Sequence, residues 1–79
     1  MAEAKKKLSV TAFEFGALLI GIGETMITKN VSLKEANGKD QINYLVSRMN
    51  HNGVEVQRAQ DIAAAGLDGV EVEAPEKAE

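Results

Sequence analysis

The side chains that most often carry out catalysis or bind metals are scarce in this chain of 79 residues. His51 is its one histidine, and it contains no cysteine. A nucleophile activated by a neighbouring base, or a typical transition-metal site, needs several such groups. His51 also precedes an Asn-Gly pair typical of a helix end, where an imidazole interacts with the last carbonyl groups. The sequence therefore predicts no catalytic residue, no metal ligand and no enzyme activity.

Paired carboxylates are another common source of acid-base chemistry, and they require a rigid cleft. Four of the 12 acidic residues lie close to the C-terminal end, at Glu71, Glu73, Glu76 and Glu79. The remaining acidic residues are spread along the chain as solvent-facing charges. We therefore expect no carboxylate pair that acts in catalysis.

Three glycines, Gly16, Gly21 and Gly23, have spacings that also occur in phosphate-binding loops. Gly16 and Gly21 are separated as in a P-loop, but Ile22-Gly23 stands where that loop needs Lys and Ser or Thr. Gly21 and Gly23 begin a dinucleotide-binding fingerprint, but Met26 occupies its third glycine position. Both motifs fail, so the sequence predicts no nucleotide and no other cofactor, and packing explains the glycines better.

These glycines lie within a run from Thr11 to Ile27 that predicts a long, very apolar helix. Thr11 and Glu14 form a capping-box pattern, and Asn30 is suited to end the helix in the left-handed conformation. Apolar residues occur on nearly every side of this helix, which therefore needs a cover on every side. Because a chain this small supplies few covering side chains, the run indicates association with another chain.

Two hypotheses explain the glycines, each of which costs about 1 kcal/mol relative to Ala in a helix interior. They make room for the protein's own second helix, or they form a contact with another subunit or partner. In the second case the predicted protein interface consists of Ala12, Gly16, Leu19, Gly23 and Met26. A rival interpretation divides residues 8–22 into a β-hairpin, which would make the fold α+β.

A second helical segment is predicted in the middle of the chain. Ser32 and Glu35 form another capping pattern at the start of a short turn. Asp40 is then the expected N-cap of an amphipathic helix over 41–51, which Asn52-Gly53 ends.

A third helix is expected over 57–65, with Gly66 as its C-cap. The tetrapeptide Gly-Val-Glu-Val occurs on both sides of it, at 53–56 and 69–72, and alternates apolar and polar residues as a short strand does. The two copies are therefore candidates for a small paired ribbon. The predicted fold class is mainly α, with three helical segments and one or two short β-strands.

Charge and composition divide the chain into one domain and two charged ends. Residues 1–7 contain three lysines and one glutamate, which predicts a flexible basic arm. Residues 73–79 include Pro75 and three glutamates, which predicts a flexible acidic tail. Residues 8–72 are expected to form a single compact domain, since hydrophobic residues make up 44% of the chain.

The apolar residues do not form a membrane span. The stretch from Phe15 to Ile22 is 8 residues long, whereas roughly 20 are needed to cross a bilayer. The absence of cysteine also argues against a disulfide-stapled secreted domain. We expect a soluble protein, inside a cell or within an assembled particle.

The stretch from Gln60 to Leu67 resembles the first helix and turn of a helix-turn-helix unit. A recognition helix would have to follow, but the next residues include Asp68, Glu71 and Glu73, whose charge would repel phosphate. We therefore do not expect nucleic-acid binding, and a helix-turn-helix-like transcriptional regulator is only a second alternative.

The sequence predicts a protein-binding module without enzyme activity. The main expectation is a small structural or accessory subunit of a larger assembly, viral or other, that forms a homo-oligomer. The first alternative is an acidic adaptor or inhibitor that docks on one protein target through its acidic tail.

Overall fold

A computed structural model describes residues 7–73 of the chain. In chain order it contains β1 (Leu8–Val10), α1 (Ala12–Lys29), α2 (Leu33–Ala36), α3 (Ile42–His51), α4 (Val56–Ala65) and β2 (Val70–Val72). Short 3-10 turns precede α3, at Lys39–Gln41, and β2, at Leu67–Gly69. The predicted mainly α fold with short strands is confirmed. The β-hairpin alternative for residues 8–22 is wrong, because α1 runs without a break from Ala12 to Lys29.

Both ends of α1 are fixed by the residues that the sequence assigns to them. The Thr11 side chain accepts the backbone N–H of Glu14 at 3.1 Å, and the backbone N–H of Thr11 donates to the Glu14 carboxylate at 2.9 Å. Asn30 has φ 54° and ψ 53°, the left-handed conformation that ends a helix. Ser32 and Glu35 form the second predicted capping box, at the start of α2. Local capping chemistry therefore sets these three boundaries.

The predicted N-cap of α3 is wrong. A 3-10 turn forms first, with the backbone N–H of Gln41 bonded to the carbonyl of Gly38 at 3.3 Å. This turn moves the start of α3 to Ile42, so Gln41 and not Asp40 occupies the cap position, without a side-chain cap bond. The predicted end of α3 is confirmed, since Asn52 is its C-cap and Gly53 has a positive φ of 104°.

The two Gly-Val-Glu-Val copies adopt different structures. In the first copy the Glu55 carboxylate accepts the backbone N–H of Arg58 at 3.1 Å, which caps α4 and places Val56 in that helix. Only the second copy becomes a strand, β2, and it pairs in parallel with β1 so that Leu8 lies opposite Val70. The predicted ribbon between the two copies is therefore wrong.

The hydrophobic core lies where α3 packs between α1 and α4. Leu18, Leu45, Met49 and Ile62 are among its fully buried side chains, and the strands add Val10 and Val70. The predicted arm 1–7 and tail 73–79 lie outside the described residues apart from Lys7 and Glu73. Within residues 7–73, every helix is too short or too polar to cross a membrane.

Candidate functional site

One face of α1 points away from the core and is covered only at its N-terminal end, where Phe13 lies against Gly53 and Asn52 borders the helix. Leu18, Ile22 and Thr25 are buried on the opposite side of the helix. Residues three and four apart share one side of a helix, and five such residues, hereafter the α1 seam, are Phe13, Gly16, Ile20, Gly23 and Ile27. Its three large side chains are 62%, 51% and 83% exposed, in chain order. The seam therefore alternates large apolar residues with glycines along an open helix face.

The glycines of α1 fall into two groups. A Cβ atom on Gly21 would lie 2.8 Å from Leu45 Cδ1 and 3.4 Å from Met49 Cγ, so α3 needs this glycine for its close approach. A Cβ atom on Gly16 or Gly23 would meet no atom of residues 7–73 within 4 Å apart from the adjoining part of α1 itself. The hypothesis that the glycines make room for the protein's own second helix therefore holds only for Gly21.

A shallow apolar hollow lies at the N-terminal half of the seam. Its volume is about 230 Å³, and its lining residues are Ala12, Phe13, Gly16, Ala17, Ile20 and Asn52. The missing side chain at Gly16 opens its floor, while Phe13 and Ile20 form apolar walls. A hollow of this size is below the roughly 300 to 1,000 Å³ of sites for small molecules. It suits a single apolar side chain better than a cofactor.

The charged residues of α1 are all engaged beside the seam and not on it. The pairs are Glu14 with Arg58, Glu24 with Arg48, and Lys29 with the ring of Tyr44. The Arg48–Glu24 pair is 2.9 Å apart, and the Lys29 ammonium lies 4.8 Å from the ring centre. The five seam residues carry no charge, and the Glu24–Arg48 pair borders the seam at Ile27.

Arg58 joins three elements beside the seam. Its Nε and Nη2 donate to the two carboxylate oxygens of Glu14 at 2.9 and 3.1 Å, and Nη2 also donates to the carbonyl of Ser9 at 2.6 Å. The hydrogen bond from Arg58 lowers the pKa of the Glu14 carboxyl, and the hydrogen bond from Arg48 lowers the pKa of Glu24. These pairs fix α1 against α3, α4 and β1, which holds the seam in place.

The five predicted interface residues are also three and four apart, so they share one side of α1, which overlaps the seam. Gly16 and Gly23 lie in the seam, Ala12 is exposed at the start of α1, and Leu19 is exposed beside the seam. Met26 is partly buried and packs against the core. The prediction did not include Phe13, Ile20 and Ile27, although their seven-residue spacing with glycines between them was visible in the sequence.

His51 and the helix-turn-helix candidate from Gln60 to Leu67 do not form a comparable surface. His51 is exposed at the last position of α3, and in residues 7–73 no three His, Asp or Glu side chains gather where a metal ion could bind. After α4, residues 67–69 form a 3-10 turn and residues 70–72 form β2, where a helix-turn-helix unit would need its recognition helix.

No family model, no curated protein and no solved structure matches the chain. The functional proposal therefore rests on the geometry of α1.

Proposed function

We propose that this chain is a protein-binding module without enzyme activity, a small structural or accessory subunit that contacts another protein chain through the α1 seam. The observation that supports the proposal most is the combination of large exposed side chains with open glycines on one uncharged helix face. An exposed apolar patch of several hundred Å² is often functional, and such patches mark protein contacts. Gly16 and Gly23 let a partner approach the helix backbone closely.

The residues around the seam favour a protein contact and not a small-molecule site. The hollow beside Gly16 has the volume for one aliphatic side chain, and its walls are mostly apolar. Side chains that fill well-packed, desolvated pockets contribute most of the binding energy of protein interfaces. A location inside a cell or an assembled particle belongs to the same proposal, because the chain has no cysteine for disulfides.

Site-specific photo-crosslinking tests this function. A benzophenone amino acid replaces Phe13 in the seam, and the matched control carries it at Gln60, an exposed position of α4. In cells that produce the chain naturally, we expect a defined protein adduct from position 13 and none from position 60. Equal yields from both positions, or no adduct from position 13, would contradict the proposed surface.

A further inference from the structure

We infer that the partner of the α1 seam is a second copy of this chain, with its α1 antiparallel to the first. The inference rests on the proposed function, because it names the occupant of the same surface. Phe13, Ile20 and Ile27 are seven residues apart, and Gly16 and Gly23 lie between them. This alternating three-and-four spacing is that of coiled-coil a and d positions, which interlock with a facing helix.

The alternation of large and small residues decides the relative direction of the two helices. In a parallel pair, equivalent positions face each other, so isoleucine would meet isoleucine and glycine would meet glycine with voids between them. In an antiparallel pair, a positions face d positions, so Ile20 and Ile27 can each meet a glycine. The register that keeps most of the seam in contact sets Ile20 opposite Gly23 and Ile27 opposite Gly16.

The seam also offers both a projecting side chain and a hollow to receive it. Ile27 is 83% exposed, the most of any large apolar side chain in residues 7–73. The hollow of about 230 Å³ lies around Gly16, one end of the seam, and Ile27 lies at the other. In the antiparallel register, Ile27 of each copy enters the hollow of the other. This reciprocity is what a two-fold interface requires.

The exposed apolar area, if all of it is buried, reaches the lower limit for a specific dimer. Phe13, Leu19, Ile20 and Ile27 are between 47% and 83% exposed, and at roughly 200 Å² for a fully exposed large side chain they present about 500 Å². Two copies would bury about 1,000 Å², the lower limit of specific interfaces. In the same register, Leu19 and Met26 flank the seam and meet each other across the two-fold axis.

The ends of the chain itself are poor alternatives as occupants. Residues 1–6 and 74–79 are MAEAKK and APEKAE, in which Met1 is the one large apolar residue. Lysines and glutamates would lose hydration on an uncharged apolar face. A second α1 seam, by contrast, supplies an apolar surface without a charge.

Light scattering on a sizing column with the purified full-length chain tests the dimer. We expect a mass of twice 8.5 kDa for the unmodified chain and a dissociation constant raised about 100-fold or more for the double variant G16K/G23K, which places two charges per copy on the apolar contact. The monomer should fold in this variant, because both positions are open. Ile27→Gln, which removes only an exposed side chain, should weaken the dimer as well. Ala64→Leu on the exposed side of α4 is the control and should remain dimeric.

Spin labels test whether the two α1 helices are parallel or antiparallel. The chain has no cysteine, so a single Thr28→Cys variant takes one nitroxide per copy. The antiparallel register separates the two labels by about 20 Å along the helix axis, whereas in a parallel pair they lie at the same level of the two helices and are closer together. A distance between the labels as short as a parallel pair gives, an unchanged mass in G16K/G23K, or a monomeric unmodified chain would overturn the inference. A position-13 adduct to a different protein would then preserve the proposed function alone, and no adduct would remove both.

Discussion

Arg58 is the residue whose role is most dependent on the tertiary structure. Its guanidinium bonds both oxygens of Glu14 and the carbonyl of Ser9, so one side chain of α4 holds the start of α1 and the end of β1. Glu14 is already the N3 residue of the capping box. The same carboxylate therefore serves a local cap and a contact between residues 44 positions apart.

We expect Arg58→Ala to lower the free energy of unfolding by about 1 kcal/mol, because a two-pronged contact is lost but the side chain is partly exposed. Urea unfolding followed by circular dichroism measures the change. Arg48→Ala is the matched control and should have a smaller effect, because its partner Glu24 is more exposed than Glu14. An effect of Arg48→Ala equal to or larger than that of Arg58→Ala would contradict this account.

The lowered pKa of Glu14 predicts the pH dependence of stability. Arg58 favours the charged carboxylate in the folded state, so the folded pKa lies below that of the unfolded chain. The contribution is therefore fully present above about pH 4.3 and is lost as the pH falls through the folded pKa. Glu14→Gln should lose less stability than the parent chain on acidification, since Gln still forms the capping box. Identical acid profiles for the two proteins would refute this.

At the scale of the elements, the three glycines of α1 should respond differently to alanine. Gly16→Ala and Gly23→Ala should each stabilise the monomer by up to about 1 kcal/mol, because their surroundings are open and Ala favours the helix. Gly21→Ala should instead destabilise it by about 1 kcal/mol, because the new methyl group meets buried Leu45.

Urea unfolding at low protein concentration, where the monomer predominates, measures all three glycine variants. The comparison is internally controlled, since each variant makes the same chemical change in the same helix. A stabilising Gly21→Ala variant would mean that α3 does not approach α1 as closely as the structure has it.

Elements whose boundaries depend on near neighbours could be predicted from the sequence. Thr11 with Glu14 and Ser32 with Glu35 are contacts three residues apart, and both form as the pattern indicates. The pairing of β1 with β2 could not be predicted, because it joins residues about 60 positions apart and depends on how the helices pack. The first Gly-Val-Glu-Val copy was wrongly predicted to be a strand, because its alternating pattern does not show that Glu55 caps a helix.

Only part of the α1 seam could be predicted, because the exposure of its residues also depends on long-range packing. Composition indicated that α1 needs a cover, and Gly16 and Gly23 were correctly placed together on one side. Which apolar residues point outward depends on where α3 packs, and this leaves Phe13, Leu19, Ile20 and Ile27 exposed, of which only Leu19 was predicted. Nothing in the sequence indicated that Met26 would be partly buried and pack against the core.

At the scale of the whole molecule, α1 has two faces with different environments. One face forms the core with α3, where Leu18 and Ile22 are buried. The other is the seam, whose large side chains would gain about 25 cal/mol for each Å² removed from water. A chain of this size has little further apolar surface with which to cover it, so a second chain is the natural cover.

The most direct test of the central claim, that the α1 seam is a contact between copies, is sedimentation equilibrium of the unmodified chain from micromolar to millimolar concentration at low and high salt. The account predicts that the mass rises from 8.5 kDa to twice that value. The association should be retained at high salt, because the seam carries no charge that salt could screen. A mass of 8.5 kDa at every concentration, or a dimer that high salt dissociates, would contradict the account.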